Sequence, residues 1–254
     1  MIGATLAFVV VLMLVTWLLS VVLRDVSIVD LVWGLGFVGI AWVAYLATSP
    51  ENARALLIVL LTTVWGVRLS AYLIRRNVGK GEDYRYVAMR ERHGARFAWV
   101  SLLTVFGLQG LLMWIIAGPL QFGMDGARAL GAVDAVGLAV WAVGLVYEAG
   151  ADLQLSRFRS DPANRGRVLD RGLWRNTRHP NYFGDFLVWW GLYLIAAAGG
   201  AWWTIYGPIM MSFLLMRVSG VRLLERTIGD RRPEYAVYVR TTNAFFPGPR
   251  RRVE

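Results

Sequence analysis

Seven stretches of about twenty apolar residues, parted only by short polar segments, leave this chain few ways to fold. They run at roughly 2–23, 28–48, 53–74, 98–118, 131–151, 183–199 and 201–218. A run of that length crosses the hydrocarbon of a bilayer as a helix, which satisfies its own backbone hydrogen bonds where water cannot. The chain is 57% hydrophobic and holds twelve Trp, more apolar surface than one water-soluble core would hide. The expected fold is therefore all-α, a polytopic membrane protein with seven transmembrane helices. Only Gly199 and Gly200 divide the last two runs, which predicts a tight hairpin, or a re-entrant segment in place of one of its arms. The first run lacks the basic flank and small-residue cleavage site of a removed signal peptide and reads as helix one. With no internal repeat, low-complexity tract or long linker, residues 1–254 are expected to form one membrane domain.

Charge orients those helices. Arg75, Arg76, Lys80, Arg85, Arg90, Arg92 and Arg96 share one segment, a second basic cluster runs from Arg157 to Arg178, and a third from Arg217 to Arg252. Loops on the opposite side carry only Arg54 and Arg128. The positive-inside rule then places the basic segments and the C-terminus in the cytoplasm and the N-terminus outside, as an odd number of helices requires. Orientation and attraction to anionic lipid account for most of these cations. Yet Lys80 is the only lysine, and arginine grips phosphate bidentately. Short basic loops between membrane helices are a poor nucleic-acid surface, so no nucleic-acid partner is expected. With no Cys and only His93 and His179, a disulfide framework, a thiol nucleophile and a His/Cys metal site are excluded.

Polar residues inside or beside apolar runs are costly and mark candidate sites. The segment DRGLWRNTRHPNYFGD, from Asp170 to Asp185, presses Arg178, His179, Asn181, Tyr182 and Asp185 against the run that follows. Pro180 and Gly184 bracket that cluster and suggest a helix start whose N–H groups face an anion or amide oxygen. Asp30 lies near the start of the second run, with Trp33 one turn on. Burial at such a place disfavours its charge, so a protonated Asp30 able to donate to a carbonyl oxygen is expected, with a structural ion pair to Arg68 as the alternative. Arg68 and Tyr72 share one helix face, and Gln109 lies deep in the fourth run, as helix glue or as a ligand contact. Glu148 and Asp152 share a face that opens towards Arg157 and Arg159. In the GKGEDYRY loop, Glu82, Asp83, Arg85 and Tyr86 could read a ribose, a phosphate and an adenine, or simply pair among themselves. Gly34, Gly36 and Gly39 spell GxGxxG, but inside a membrane run with no preceding strand they read as close helix packing.

Taken in order, SIVDLVWG, WGVRL, GEDYRY, LQG, the Glu148–Asp152 pair, DRGLW, RHPNYFGD, LLERTIG and RTTNAFFPG resemble the bacterial branch of the steroid 5-alpha-reductase family over most of the chain. That resemblance implies a seven-helix reductase of the bacterial inner membrane that uses NADPH to reduce the carbon–carbon double bond of an enone lipid such as a 3-oxo-delta-4 steroid. Helices one to four would mainly form the substrate pocket, and helices five to seven with the cytoplasmic loops the cofactor site. It implies cofactor contacts at Arg68, Asp83, Arg85, Tyr86, Gln109, Glu148, Asp152, Arg159, Trp174, Arg178, His179, Asn181, Tyr182, Asp185 and Glu225, and substrate contacts at Trp33 and Trp65. Asp30 stands where the family has a catalytic Glu, and Trp65 where it has a catalytic Tyr, so Tyr72, a turn beyond Arg68, is the expected substitute. Beyond the apolar substrate and membrane lipid, no obligatory protein partner is expected. RHPNYFGD also resembles the isoprenylcysteine carboxyl methyltransferases, which bind S-adenosylmethionine.

Overall fold

The computed structural model describes residues 1–125, 129–218 and 234–251, and among these every regular element is helical. In chain order the α-helices are α1 (Ile2–Leu23), α2 (Ile28–Leu31), α3 (Trp33–Thr48), α4 (Ala53–Asn77), α5 (Tyr84–His93), α6 (Phe97–Ser101), α7 (Leu108–Ile116), α8 (Gly118–Phe122), α9 (Ala132–Ser160), α10 (Pro180–Ala198), α11 (Tyr206–Phe213) and α12 (Glu234–Thr241). Each expected apolar run is helical, and the second is broken at Val32 into α2 and α3. Among the described residues four stretches are long and apolar enough to cross a membrane: Ile2–Leu23, Ala53–Asn77, Tyr84–Ile116 and Ala132–Ser160. Trp33–Thr48 is a shorter apolar helix.

The apolar faces point outwards as well as inwards. Only 22% of the most apolar window of α1 is buried, and Val10, Val11, Leu14, Val15, Leu18 and Leu19 are exposed along it. That pattern suits a lipid solvent and would be a liability in water. Helix ends follow ordinary chemistry. The Asn52 side chain caps α4 by accepting from the Ala55 N–H at 2.8 Å, and Asp83 caps α5 through the Arg85 N–H at 3.0 Å. Beyond α10, Gly200 takes φ +110 and turns the chain towards the 3₁₀ segment Trp202–Ile205, as the Gly-Gly break predicts.

The chain divides into two compact units, Met1–Ala132 with Ile195–Gly207, and Val133–Leu194 with Pro208–Glu254. In the first, α3 and α4 cross with their backbones in contact. A Cβ added to Gly66 would stand 2.5 Å from the Gly34 carbonyl oxygen, and Gly36 and Gly39 are filled by Met113 and Phe8. The GxGxxG string is therefore a packing surface. Polar glue adds to it: Thr5 donates to the Gln121 side chain at 2.6 Å, Trp114 Nε1 donates to Thr5 at 3.2 Å, and the Gln121 amide donates to the Trp114 carbonyl at 2.9 Å. In the second unit α9 and α10 use the same device. A Cβ on Gly144 would meet the Val188 nitrogen at 2.6 Å, and one on Gly191 the Trp141 nitrogen at 2.6 Å.

Gly66→Ala and Gly191→Ala are each expected to destabilise the protein by about 1–3 kcal/mol, because backbone cannot yield to an added methyl as a flexible side chain can. Gly3→Ala, with nothing within 4 Å of its added Cβ, serves as the neutral control. Thermal unfolding in detergent measures the difference, and equal midpoints for all three would refute close backbone packing at these crossings.

Candidate functional site

Within the first unit, the polar residues of the second apolar run and of the GKGEDYRY loop come together. The Val26 N–H donates to Glu82 Oε1 at 2.8 Å, and the Asp83 N–H donates to the Ser27 hydroxyl at 2.7 Å, so the loop is stitched onto the turn that precedes α2. Arg90 grips Glu82 with two parallel hydrogen bonds of 2.9 and 2.8 Å. Arg85 takes Asp83 through Nε at 2.8 Å and through Nη2 at 3.3 Å. The same Nη2 donates to Asp30 Oδ2 at 3.2 Å. Arg85, from the loop side, is thus an ion-pair partner of Asp30 that the sequence did not suggest. The other Asp30 oxygen accepts from the Tyr86 hydroxyl at 3.3 Å, and the Gln109 amide donates to that hydroxyl at 3.4 Å. Asp30, Tyr86 and Gln109 form one hydrogen-bonded line from α2 through α5 to α7.

The same unit holds a cluster of aromatic residues on α3 and α4. Trp33, half-buried, meets Phe37 edge-on at 5.4 Å, and Phe37 packs on Trp65 at 5.9 Å. Trp65 is fully buried and lies behind Phe37 in the core, whereas the Asp30 side chain is 32% exposed. The Nε and Nη2 atoms of Arg68 are shielded from solvent. Tyr72 lies beneath the Arg76 guanidinium, 5.5 Å from ring centre to Cζ.

In the second unit, Glu148 and Asp152 are buried on one face of α9, where Gly184 lets α10 approach. Asn181 Nδ2 donates to Asp152 Oδ1 at 3.3 Å, so the RHPNYFGD segment and the α9 acids share one cluster. His179 stacks on Tyr182 with ring centres 5.5 Å apart, and Trp174 Nε1 donates to the Ala151 carbonyl at 3.2 Å. Asp185 Oδ1 is shielded from solvent within α10. Arg178 is turned to its own chain, its Nη1 donating to the carbonyls of Val239 at 3.0 Å and Thr242 at 2.5 Å. Arg159 lines a separate cleft of about 390 Å³ with Phe158, Asp161, Asn164, Arg165 and Leu169. Glu225 falls outside the described residues.

Sequence reasoning missed how strongly the RTTNAFFPG segment is laid back on this cluster. Thr177 donates to the Phe245 carbonyl at 2.8 Å, the Arg178 N–H donates to the Asn243 carbonyl at 2.9 Å, and Tyr238 donates to the carbonyl of Trp174. Phe245 and Phe246 pack edge-on against Phe183 and Phe186. The signal available was the pairing of Tyr235 with Tyr238 and the doublet Phe245-Phe246, aromatic residues in an otherwise basic tail. Among the described residues no group of three or more His, Cys, Asp or Glu could hold a metal ion.

Comparison with known proteins adds the following. The profile of a family described as "Protein of unknown function (DUF1295)" matches residues 16–242. An uncharacterized protein of Schizosaccharomyces pombe is 27% identical over 265 residues, which cover 92% of this chain and 76% of that protein. A protein named probable O-methyltransferase ustE, from Ustilaginoidea virens, is 33% identical over 85 residues, 34% of this chain and 28% of its own length. The Delta(14)-sterol reductase erg24B of Aspergillus fumigatus is 30% identical over 115 residues, 40% of this chain and 20% of its own length. No solved structure matches the chain.

The loop acids give a pH dependence. Burial works against the charge of Glu82, but the Arg90 hydrogen bonds and the Val26 N–H outweigh it and hold its carboxyl below the ordinary range. Burial opposes Asp83 likewise, and the Arg85 side chain and N–H overcome it. A depressed folded value means that the stabilisation is present above the ordinary values of 4.5 and 3.8 and is lost as pH falls through the lower folded ones. Glu82→Gln is expected to lower the thermal midpoint at pH 7, and the gap to the unmodified protein should close on acidification below about pH 4. A gap independent of pH would separate this stabilisation from the Glu82 charge.

Proposed function

The chain belongs to the DUF1295 family, and from that premise we propose that it is an NADPH-dependent membrane reductase that saturates the carbon–carbon double bond of an enone lipid such as a 3-oxo-delta-4 steroid. The observation that carries this reading is the Asp30–Tyr86–Gln109 line, a polar feature set among apolar helices, with Trp33 three residues beyond Asp30 in the sequence. Similarity to a sterol reductase over 40% of the chain supports the same chemical class.

NADPH, when bound, supplies a hydride to the beta carbon, and negative charge then collects on the carbonyl oxygen of the enone. Asp30 is the acid proposed to meet that oxygen, and the loss of one such donor costs about 2.7–4 kcal/mol of transition-state stabilisation. Trp33 would flank the apolar body of the substrate. For the cofactor we propose Asn181 and Asp152, polar and mutually bonded, together with the arginine of the α9 cleft, Arg159. Seven spans with the N-terminus outside and the C-terminus in the cytoplasm, in a bacterial inner membrane, complete the proposal and put the basic segments beside the soluble cofactor.

A second reading, S-adenosylmethionine-dependent methyl transfer, draws on the O-methyltransferase similarity and the RHPNY string. It leaves the Asp30–Tyr86 pair without a task.

Thermal stabilisation of the purified protein by NADPH, NADH and S-adenosylmethionine separates the two. A ligand at about 100 times its Kd adds roughly 2.7 kcal/mol, and NADPH is expected to give that shift selectively. Stabilisation by S-adenosylmethionine alone would replace the reductase reading. With progesterone as the trial enone, Asp30→Asn is expected to slow NADPH oxidation while leaving cofactor affinity near its original value, and Asn181→Ala to weaken the cofactor. Unchanged turnover in Asp30→Asn would remove that residue from the chemistry.

A further inference from the structure

An acid that gives up a proton among apolar helices must have its conjugate base stabilised, or the proton returns. Both oxygens of Asp30 are already served: Oδ2 accepts from Arg85 at 3.2 Å and Oδ1 from the Tyr86 hydroxyl at 3.3 Å. Tyr86 is itself buried, 7% exposed, so its hydroxyl faces the carboxyl instead of solvent, and the Gln109 amide at 3.4 Å occupies its oxygen and turns its proton towards Asp30. Asp83 anchors Arg85 from the other side through two further hydrogen bonds. Asp30, 32% exposed, remains the member of the line that a ligand can reach.

We propose that Tyr86, backed by Gln109, is the positioning residue through which Asp30 acts as an acid, holding the carboxylate that forms when Asp30 passes its proton to a substrate oxygen. The tyrosine expected from the sequence, Tyr72, lies beneath the Arg76 guanidinium. The proposal rests on the reductase reading for the identity of the proton's destination. In that reaction the nicotinamide hydride forms a C–H bond at the beta carbon and the π electrons move to the carbonyl oxygen. The Asp30 O–H bond breaks, a new O–H bond forms on the enolate, and the product enol rearranges to the saturated ketone by taking a proton from water at the alpha carbon and returning one. The enone is reduced, NADPH is oxidised, and Asp30 regains its proton from solvent.

The charged and titratable groups around Asp30 set what its protonation responds to. Asp83, Arg85 and Tyr86 act from α5 and its cap. α4, packed on α2, carries Arg68, Tyr72, Arg75 and Arg76 in its C-terminal half. α1 leads into Arg24 and Asp25, and α3 opens with the apolar Trp33.

The test reads Asp30 directly. Infrared titration of the full chain in detergent follows the carboxyl C=O band that Asp30→Asn removes, in the unmodified protein and in Tyr86→Phe. Phenol donation favours the charged form, so its loss should move the midpoint of that band to higher pH by on the order of one pH unit. The alkaline limb of progesterone-dependent NADPH oxidation should move the same way. Tyr84→Phe, on the exposed side of α5, should leave the midpoint in place. If Tyr86→Phe does not fold, as its thermal midpoint would tell, Gln109→Ala gives the same readout with a smaller upward shift. An unmoved or lowered midpoint, or no Asp30-dependent band that titrates, overturns the proposal. Absence of NADPH stabilisation refutes the reductase reading alone, because the infrared midpoint requires neither cofactor nor substrate.

Discussion

Close backbone contact between helices is the constraint on which both units rest. In lipid the hydrophobic effect does not draw one apolar helix to another, so association depends on packing and on polar contacts, both of which fall off steeply with distance. Gly34 against Gly66, and Gly144, Gly184 and Gly191 against the facing backbone, let the axes approach closely enough for side chains on neighbouring helices to share hydrogen bonds. The Gly184 crossing has a direct chemical effect: it brings α10 onto α9 beside Glu148, one turn from Asp152 and its bond to Asn181. Larger residues there would part the helices and the polar pair together.

Tightness of this kind also governs the first unit. Asp30 belongs to a single helical turn cut off from α3 at Val32, and its direction depends on the loop that reaches over it. Four side chains of that loop and its helix, Glu82, Asp83, Arg85 and Tyr86, act on the Val26–Asp30 turn either directly or through one another. The result is an acid whose surroundings form one connected hydrogen-bonded network.

How much of this was legible in the sequence depended on the range of the interaction. Helices were legible, because apolar runs of about twenty residues and caps such as Asn52 are local signals. The packing role of GxGxxG was legible from its missing strand. The Asp152–Asn181 cluster was foreshadowed by polar residues beside apolar ones, and the internal pairing of the charged loop was one of two stated alternatives. Pairings across long separations were not. Arg85 and Asp30 lie 55 residues apart, and nothing in periodicity points to Arg85 as a partner. Tyr86 read as an adenine contact because its neighbours are charged, while its buried hydroxyl depends on Gln109 from a different helix. Arg178 read as a cofactor contact by resemblance, and its hydrogen bonds to the carbonyls of Val239 and Thr242 have no sequence signal at all.

The return of the Thr241–Phe246 segment onto Thr177 and Arg178 bears on how the protein is made. Thr177 waits for a carbonyl 68 residues further along the chain. At synthesis rates of about 5–20 residues per second, roughly 3–14 s separate the two as they leave the ribosome. During that interval the Arg178 guanidinium and the Trp174 carbonyl stand in the nascent chain without the contacts they make in the finished protein. The cluster around Asn181 thus lacks the support of the Thr241–Phe246 segment until that segment has been synthesised.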